Sequence, residues 1–207
     1  MPRRVARHAA PLGDGRVVWL FGDTRRAPGH GATMVSNSML ISTRGCFAQV
    51  LTGGAVIPDP GVAAEWLAAW PTCVISLDHG RWSELFVFTN TIRRHGGFWG
   101  FPVLGMSVTR FVVPDGGAAR RLETVALSAD DDTLDHMTWG TASVADDGWI
   151  VVYGTRAPTG GFGREVYVAR TRPKDIENMA LWQCRGATGW GTRRQMTPGT
   201  RLGPCET

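Results

Sequence analysis

The sequence is poor in lysine, in long apolar runs and in clustered cysteine. Lys174 is the only lysine among 22 basic residues, so almost all of the positive charge is carried by arginine. The arginines are scattered along the chain and form no basic helix or dense stripe, which argues against a nucleic acid partner. No apolar run reaches the length of about 18 residues that a membrane-spanning helix needs, so no membrane partner is expected.

The four cysteines and five histidines show no metal-binding pattern. No C-x-x-C pair occurs and no cysteine spacing fits a zinc site, so the cysteines are interpreted as small buried hydrophobic residues. Three histidines fall in loops at one predicted end of the fold, and a metal site there is the alternative. Because no close spacing joins them, we expect neither a metal nor a cofactor. The four cysteines are Cys46, Cys73, Cys184 and Cys205, and the three loop histidines are His30, His95 and His136.

The composition is that of a globular protein built from short strands. Of the 207 residues, 43% are hydrophobic and 19% are charged, which excludes a disordered or fibrous chain. The 27 glycines and 12 prolines suit many turns. Residues 1–7 are basic like the start of a signal peptide, but no apolar segment follows them. As written, the sequence predicts no export signal, and it leaves the localisation open.

One segment of the sequence occurs three times, and the rest of the chain is organised around it. Each copy follows a turn that ends in glycine, and such turns connect antiparallel strands because glycine accepts positive φ without a steric penalty. The copies are Gly15–Thr24 (G-R-V-V-W-L-F-G-D-T), Gly80–Thr91 (G-R-W-S-E-L-F-V-F-T-N-T) and Gly148–Arg156 (G-W-I-V-V-Y-G-T-R). One aromatic residue of each copy recurs at intervals of 67 and 65 residues: Phe21, Phe88 and Tyr153. In the strand that follows, Met39 and Met106 repeat the interval of 67 residues.

Repeating units of four antiparallel strands are typical of a β-propeller, whose closed rings have about four to eight blades. The period predicts an all-β, propeller-like fold with blades at about 1–53, 70–128 and 137–190, followed by an irregular tail at 191–207. Three blades do not close a conventional ring. Further blades or a second copy of the chain are therefore expected to complete it.

Two stretches depart from the regular pattern. In the first blade, the place of the first strand falls at Val5 or Ala6, where the apolar pattern is weak, so that strand is expected to be lost or degraded. A short helix is predicted over Gly61–Trp70, an alanine-rich stretch in the connection between the first two blades.

The topology of such a unit divides its connections between two ends. The links between first and second strands are tight glycine turns, whereas the links between second and third strands, and between blades, are long. Ligand sites favour the end where long loops meet on a rigid frame. This end, called the loop end below, collects the candidate binding residues Asn37, Trp70, Asn90, Trp139, Thr141 and Arg156, and the carboxylates Asp23, Asp135 and Glu165.

Several motifs between Val17 and Trp190 resemble a family of bacterial proteins that is common in actinobacteria: W-L-F-G-D-T, N-S-M-L-I, A-W-P, T-W-G-T-A, V-V-Y-G-T-R and E-V-Y-V-A-R. That family is similar to five-bladed propellers related to glycoside hydrolases, including endo-D-arabinofuranases that cleave D-arabinan. The resemblance implies a secreted, extracellular protein that acts on carbohydrate at the mouth of a propeller. The chain departs from the family pattern in lacking a signal peptide, the first strand and about two blades. It is therefore expected to be a fragment.

Glycosidases need two carboxyl groups flanking the scissile bond, about 5–5.5 Å apart in retaining enzymes and about 6.5–9.5 Å apart in inverting ones. Asp23 ends a strand at the loop end, where the repeat gives Asn90 and Thr155 as its equivalents, and it is the predicted base or nucleophile. Glu165 or Asp135 is the predicted acid, and an acid supplied by a further blade is the alternative. Each carboxylate has a structural alternative: hydrogen bonding to turn backbone for Asp23, and a solvated charge for the other two.

The predicted binding residues also have structural alternatives. Trp70, Trp139 and Trp99 are candidates for stacking on sugar rings, but tryptophan on an inner strand is more often part of the core. Asn37 contacts either ligand or loop backbone. Arg156 either orients a substrate hydroxyl or forms an ion pair between blades.

These observations predict a glycoside hydrolase-like propeller that acts on an arabinan-type polysaccharide or oligosaccharide through paired carboxylates. Two alternatives stay open. One is a propeller that binds carbohydrate without cleaving it, and the other is an inactive fragment of a larger enzyme.

Overall fold

The fold is that of a computed structural model, which describes residues 8–61, 66–94, 101–131, 133, 136–158, 163–186 and 189–192. In these ranges the chain forms antiparallel sheets, with two short 3-10 turns at Pro173–Asp175 and Met179–Leu181. The predicted all-β class is therefore confirmed. No helix among the described residues has the length and apolar character needed to cross a membrane.

The first sheet has four strands, and a small two-stranded ladder extends one of its connections. Its strands follow the order of the chain, and each pairs antiparallel with the next. In chain order the elements are β1 (Ala9–Pro11), β2 (Val17–Phe21), β3 (Thr24–Arg25), β4 (Met34–Val35), β5 (Ser38–Ser42) and β6 (Phe47–Gln49), of which β3 and β4 form the ladder.

The second and third sheets repeat this antiparallel order with longer strands. The second sheet contains β7 (Leu67–Asp78), β8 (Trp82–Arg93), β9 (Val103–Pro114) and β10 (Arg120–Ala126). The third contains β11 (Thr138–Asp146), β12 (Trp149–Arg156), β13 (Glu165–Thr171), β14 (Gln183–Gly186) and β15 (Gly189–Thr192).

Three local predictions are wrong or incomplete. The first strand of the first unit, expected to be lost or degraded, is present in shortened form: Ala9–Pro11 pairs with β2 over only three residues. The expected helix over Gly61–Trp70 is wrong where the chain is described, because Leu67 begins a long strand. Tertiary pairing with β8 overrides the helix propensity of the alanines there. The third sheet adds β15 where no strand was expected, and the rest of the expected irregular tail lies outside the described residues.

Two hydrophobic cores lie on opposite faces of the second sheet. The first core, between the first and second sheets, takes Leu85 and Val87 from β8, together with Val18 and Leu20 from β2 and others. The second core, between the second and third sheets, takes Phe86 and Phe88 from β8. Neighbouring residues on a strand point to opposite faces, so a strand that is covered on both sides must be apolar without interruption. This explains the run L-F-V-F in the second copy of the repeat.

The three aromatic residues of the repeat lie on corresponding strands, but one of them faces the opposite way. Phe88 is fully buried and faces the third sheet, and Tyr153 faces away from the second sheet because its neighbour Val152 enters the second core. Phe21 is 43% exposed and points away from the second sheet, since Leu20 fills the first core. An odd shift in register exchanges the two faces of a strand. The alignment of Phe21 with Phe88 is therefore wrong.

The pairing partners give the correct alignment of the units at the loop end. Met106 pairs with Asn90 in the second sheet, whereas Met39 pairs with Leu20 in the first. When Met39 is aligned with Met106, as their spacing in the sequence predicts, the equivalent of Asn90 is Leu20, and Asp23 lies three residues beyond it. Asn90 and Thr155 remain equivalent. Asn90 pairs with Met106, and Thr155 pairs with Val166, which takes the place of Met106 in the third unit.

The end opposite the loop end is closed by short turns that contact one another. Gly15, Gly80 and Gly148 have φ of 83°, 83° and 71°, as the predicted glycine turns require. Arg16 donates hydrogen bonds from the first of these turns to the carbonyl oxygens of Pro114 and Gly117, at 2.7 and 2.6 Å. These contacts join the first and second sheets and leave the loop end as the open face of the described fold.

Candidate functional site

Asp23 is held at the loop end by two side chains of the second sheet. Its Oδ1 accepts a hydrogen bond from the indole N–H of Trp70 at 3.0 Å and a second one from the guanidinium of Arg94, with which it forms an ion pair. The carboxylate is 34% exposed. Its Oδ2 accepts no hydrogen bond from any described residue. Asp23 is thus fixed in orientation through one oxygen, while the other is available to a ligand or to water.

The local backbone explains why this carboxylate lies outside the regular ladder. The pairing of β2 with β5 stops at Phe21, and β3 resumes it only at Thr24 with a new partner strand. Thr24 closes the interruption by donating its hydroxyl to the Gly22 carbonyl at 2.8 Å. Asp23 therefore occupies an irregular position between two ladders, of the kind that sheets use to redirect a side chain.

Two aromatic rings lie beside this carboxylate. Trp70 and Phe101 have ring centroids 5.5 Å apart with an interplanar angle of 40°. Trp70 is half-buried and Phe101 is 41% exposed, so part of the pair faces solvent. An exposed aromatic plane next to hydrogen-bonding groups is suited to the mixed apolar and polar faces of a sugar.

A cavity of about 440 Å³ opens between the second and third sheets at the same end. Its wall includes Phe101 and Asn90 from the second sheet. From the third sheet and its loops it includes mainly hydroxyl and basic groups: Thr138, Thr141, Thr155, His136 and Arg164. Of the predicted binding residues, Asn90 and Thr141 thus lie together in one cavity.

Two polar atoms on the wall of this cavity have no hydrogen-bond partner among the described residues. They are Oδ1 of Asn90 and Nε2 of His136, both buried. The other ring nitrogen of His136 contacts the carbonyl oxygen of Thr133, which assigns the proton to Nδ1 and leaves Nε2 free. Buried polar atoms without partners are costly, so groups from solvent or from a ligand are expected to satisfy them.

Glu165 and Arg156 form a second neighbourhood on the third sheet. The two residues are directly opposite each other in the β12–β13 pairing. Glu165 accepts a hydrogen bond of 2.6 Å from the hydroxyl of Tyr167. Burial raises the pKa of the Tyr167 hydroxyl, and the nearby Glu165 carboxylate raises it further. No contact among the described residues joins this neighbourhood to Asp23.

Two of the predicted ligand contacts are buried and have structural roles. The amide nitrogen of Asn37 donates to the carbonyl oxygens of Ile57 and Ala69 at 2.7 and 2.9 Å, and its oxygen accepts from the Ile57 N–H at 2.8 Å. Asn37 is fully buried and therefore anchors the loop before β7. Trp139 is only 2% exposed and packs edge-on against Trp182 at 5.9 Å, as a member of the second core. The expected contact of these two side chains with ligand is wrong.

Other predicted residues cannot be placed. Asp135, Trp99, His95 and Cys205 lie outside the described residues. Among the residues that are described, no group of three or more His, Cys, Asp or Glu side chains could hold a metal ion.

The sequence interpretation missed Arg94, Phe101 and Arg164 as residues of the loop end. Arg94 follows directly after β8, and Phe101 belongs to the aromatic stretch F-W-G-F, so both lie in a loop that had been placed at this end. Nothing in the sequence indicates that Arg94 reaches Asp23, because 71 residues separate them. Only the packing of the first sheet on the second brings them together.

The model of a domain of unknown function, DUF5005, matches residues 5–200. The chain belongs to the DUF5005 family. No curated protein sequence matches this DUF5005 chain.

A solved structure shares the fold of this DUF5005 chain. It is the crystal structure of a provisionally assigned hydrolase from Bacteroides ovatus, with a TM-score of 0.61 and 14% sequence identity. The similarity covers 93% of this chain but 54% of the other protein, so the chain spans about half the length of that relative. At this identity the comparison establishes a shared fold and nothing about activity.

Proposed function

We propose that this DUF5005 chain is a propeller-like, carbohydrate-active module whose ligand site lies at the loop end. Three consecutive antiparallel sheets, packed face to face through two cores, support the propeller arrangement. The family resemblance carried by W-L-F-G-D-T and T-W-G-T-A supports a five-bladed ring related to glycoside hydrolases, with the further blades supplied by more chain or by a second copy. The same resemblance supports an extracellular location.

One observation carries the proposal: Asp23, Trp70 and Arg94 meet at the loop end beside an open cavity. An oriented carboxylate, an exposed aromatic pair and hydroxyl groups are the elements of a sugar-binding or sugar-cleaving site. The guanidinium and indole N–H donors on Oδ1 are the partners of a negatively charged carboxylate. Asp23 is therefore assigned as base or nucleophile in the hydrolysis of an arabinan-type polysaccharide.

The proposed acid is Glu165 or Asp135. Glu165 lies near the cavity through its neighbour Arg164, and Tyr167 fixes one of its oxygens. A general acid must be protonated before the bond breaks. Protonation is compatible with the Tyr167 contact, because a neutral carboxyl group can still accept a hydrogen bond from a phenol.

A module that binds carbohydrate without cleaving it is the second candidate. It is favoured by the cavity wall, whose described residues include Asn90, threonine hydroxyls and basic groups but no carboxylate. Such a wall can hold a sugar through hydrogen bonds and stacking, and its described residues include no pair of carboxyl groups.

Asp23→Asn separates the two candidates. For an enzyme, release of reducing sugar from arabinan should fall at least about 100-fold, while the affinity for the polysaccharide is retained. Asp115→Asn is the matched control, because Asp115 is an exposed carboxylate at the opposite end of the fold. A wild-type chain that binds polysaccharide but releases no reducing sugar would support the binding module. A chain that does neither would refute the proposal.

A further inference from the structure

The charge of the cavity at the loop end narrows the class of ligand. His8, His136 and Arg164 belong to the described part of its wall, and no Asp or Glu does. A second groove of about 320 Å³, between the second sheet and the loop that precedes it, is different, because its wall includes Asp59 and Asp130. Among the described residues, this cavity therefore differs from the neighbouring groove in having no carboxylate on its wall beside its basic groups.

Arg164 is the residue of the described wall whose side chain is positively charged at every physiological pH. It is exposed, and it forms no ion pair or hydrogen bond with any described residue. Other arginines of the fold are used structurally: Arg94 pairs with Asp23, and Arg110 pairs with Glu84. A guanidinium is charged at all physiological pH values, and its planar set of donors matches the two oxygens of a carboxylate or sulfate group.

The remainder of the wall is suited to a sugar ring. Threonine hydroxyls from both sheets can donate to or accept from sugar hydroxyls. Oδ1 of Asn90 and Nε2 of His136 lack partners among the described residues. Phe101 adds an apolar surface at the rim, next to Trp70. The described wall therefore combines groups that suit neutral hydroxyls with one guanidinium, that of Arg164, which no described residue pairs.

We propose that this cavity binds an acidic sugar unit, with Arg164 contacting the anionic group and Asn90 and His136 contacting ring hydroxyls. The ligand class is an anionic glycan, carrying carboxylate or sulfate groups, and not a neutral arabinan alone. This inference rests on the proposed function, because it assumes that carbohydrate binds at the loop end. It adds the charge of the ligand and the residue that recognises it.

The test measures the affinity of the purified full chain for four oligosaccharide probes by isothermal titration calorimetry. The probes are oligogalacturonate, its methyl ester, a sulfated carrageenan oligosaccharide and a neutral arabinan oligosaccharide. Methyl esterification removes the charge and keeps the sugar backbone. We expect oligogalacturonate or the sulfated probe to bind at least about 10-fold more tightly than the two neutral probes, since a charge-assisted hydrogen bond is stronger than a neutral one. Which of the two acidic probes binds distinguishes a carboxylate site from a sulfate site.

Variants assign the effect to this cavity. Arg164→Gln should weaken binding of the acidic probe at least about 10-fold and leave neutral binding unchanged. Arg120→Gln is the matched control, because it removes the same charge from an exposed position near the opposite end. Arg164→Lys should recover part of the affinity, since it keeps the charge but not the paired donors. Circular dichroism establishes that each variant is folded.

The outcomes separate this inference from the proposed function. Equal binding of acidic and neutral probes, or wild-type affinity in Arg164→Gln, would overturn the acidic ligand and leave a carbohydrate module in place. Binding of arabinan alone would do the same. If the folded chain bound none of the four probes, the proposed function would fail together with the inference.

Discussion

Replacement of Asn37 by alanine tests whether this buried amide is part of the framework or of the ligand site. The side chain is fully buried, and it bonds to three backbone groups of the loop that leads into β7. An intramolecular hydrogen bond contributes about 0.5–1.5 kcal/mol, and a buried group that loses its partner costs about 1–3 kcal/mol. Asn37→Ala is therefore expected to lower the free energy of unfolding by about 2–4 kcal/mol.

Asn90→Ala is the matched comparison, because it removes the same amide from a neighbouring sheet at the same end. Oδ1 of Asn90 has no hydrogen-bond partner among the described residues, so its loss should change the free energy of unfolding by less than about 1 kcal/mol. Urea unfolding followed by tryptophan fluorescence measures both. In a chain of this size, the expected loss for Asn37→Ala corresponds to a decrease in Tm of roughly 4–16 °C.

The two variants should also differ in function. Asn37→Ala should retain its affinity for glycan at temperatures where it is folded, whereas Asn90→Ala should bind more weakly while remaining stable. An Asn37 variant as stable as the wild type, or an Asn90 variant that loses as much stability as Asn37→Ala, would refute the assignment of the two amides. The expected difference between the two variants follows from the hydrogen bonds of the two amides: Asn37 bonds to three backbone groups, and Oδ1 of Asn90 has no partner among the described residues.

Other expectations concern the second core and its surroundings. Gly140→Ala should lower the free energy of unfolding, measured by urea denaturation, by at least about 2 kcal/mol. The φ of Gly140 is +83°, and an added Cβ would lie 2.5 Å from the Cβ of Phe88. A variant as stable as the wild type would contradict this packing. Burial and Glu165 raise the pKa of Tyr167, so the difference between the ultraviolet titrations of the wild type and Tyr167→Phe should show a tyrosine that ionises at higher pH than free tyrosine. A difference that titrates like free tyrosine would contradict this. Burial raises the pKa of the Cys73 thiol to about 12, so in a Cys205→Ser chain a disulfide reagent should modify exposed Cys46 rapidly and Cys73 only after unfolding. Rapid native reaction of a Cys46→Ser, Cys205→Ser chain would contradict the burial.

The strands of the second and third sheets could be predicted because their signals are local. Glycine at a tight turn and an uninterrupted apolar run such as Leu85 to Phe88 both depend on residues that are close in sequence. The short strand at Ala9 and the strand that begins at Leu67 could not be predicted in this way. In both places the sequence is weakly patterned or alanine-rich, and pairing with a distant strand decides the conformation.

The candidate site could be placed at one end of the fold from the sequence, but its members could not be chosen. Asp23 and Trp70 were selected from the lengths of the loops, yet their contact depends on how two sheets pack. Asn37 and Trp139 were selected by the same reasoning and are buried. Spacing along the chain locates a residue at the end of a strand, whereas the direction of its side chain depends on strand parity and on bulges such as the one between Trp139 and Ala142.

The position of β8 between two cores has a consequence for the way the protein denatures. Because Leu85 and Val87 serve one core while Phe86 and Phe88 serve the other, neither core can be hydrated without displacing the strand that supports its counterpart. The three sheets should then melt as a single cooperative unit, and the enthalpy measured by calorimetry should equal the van't Hoff value. In such a repeat, cooperative unfolding depends on the central sheet, which is part of both cores, and not on the stability of any single sheet.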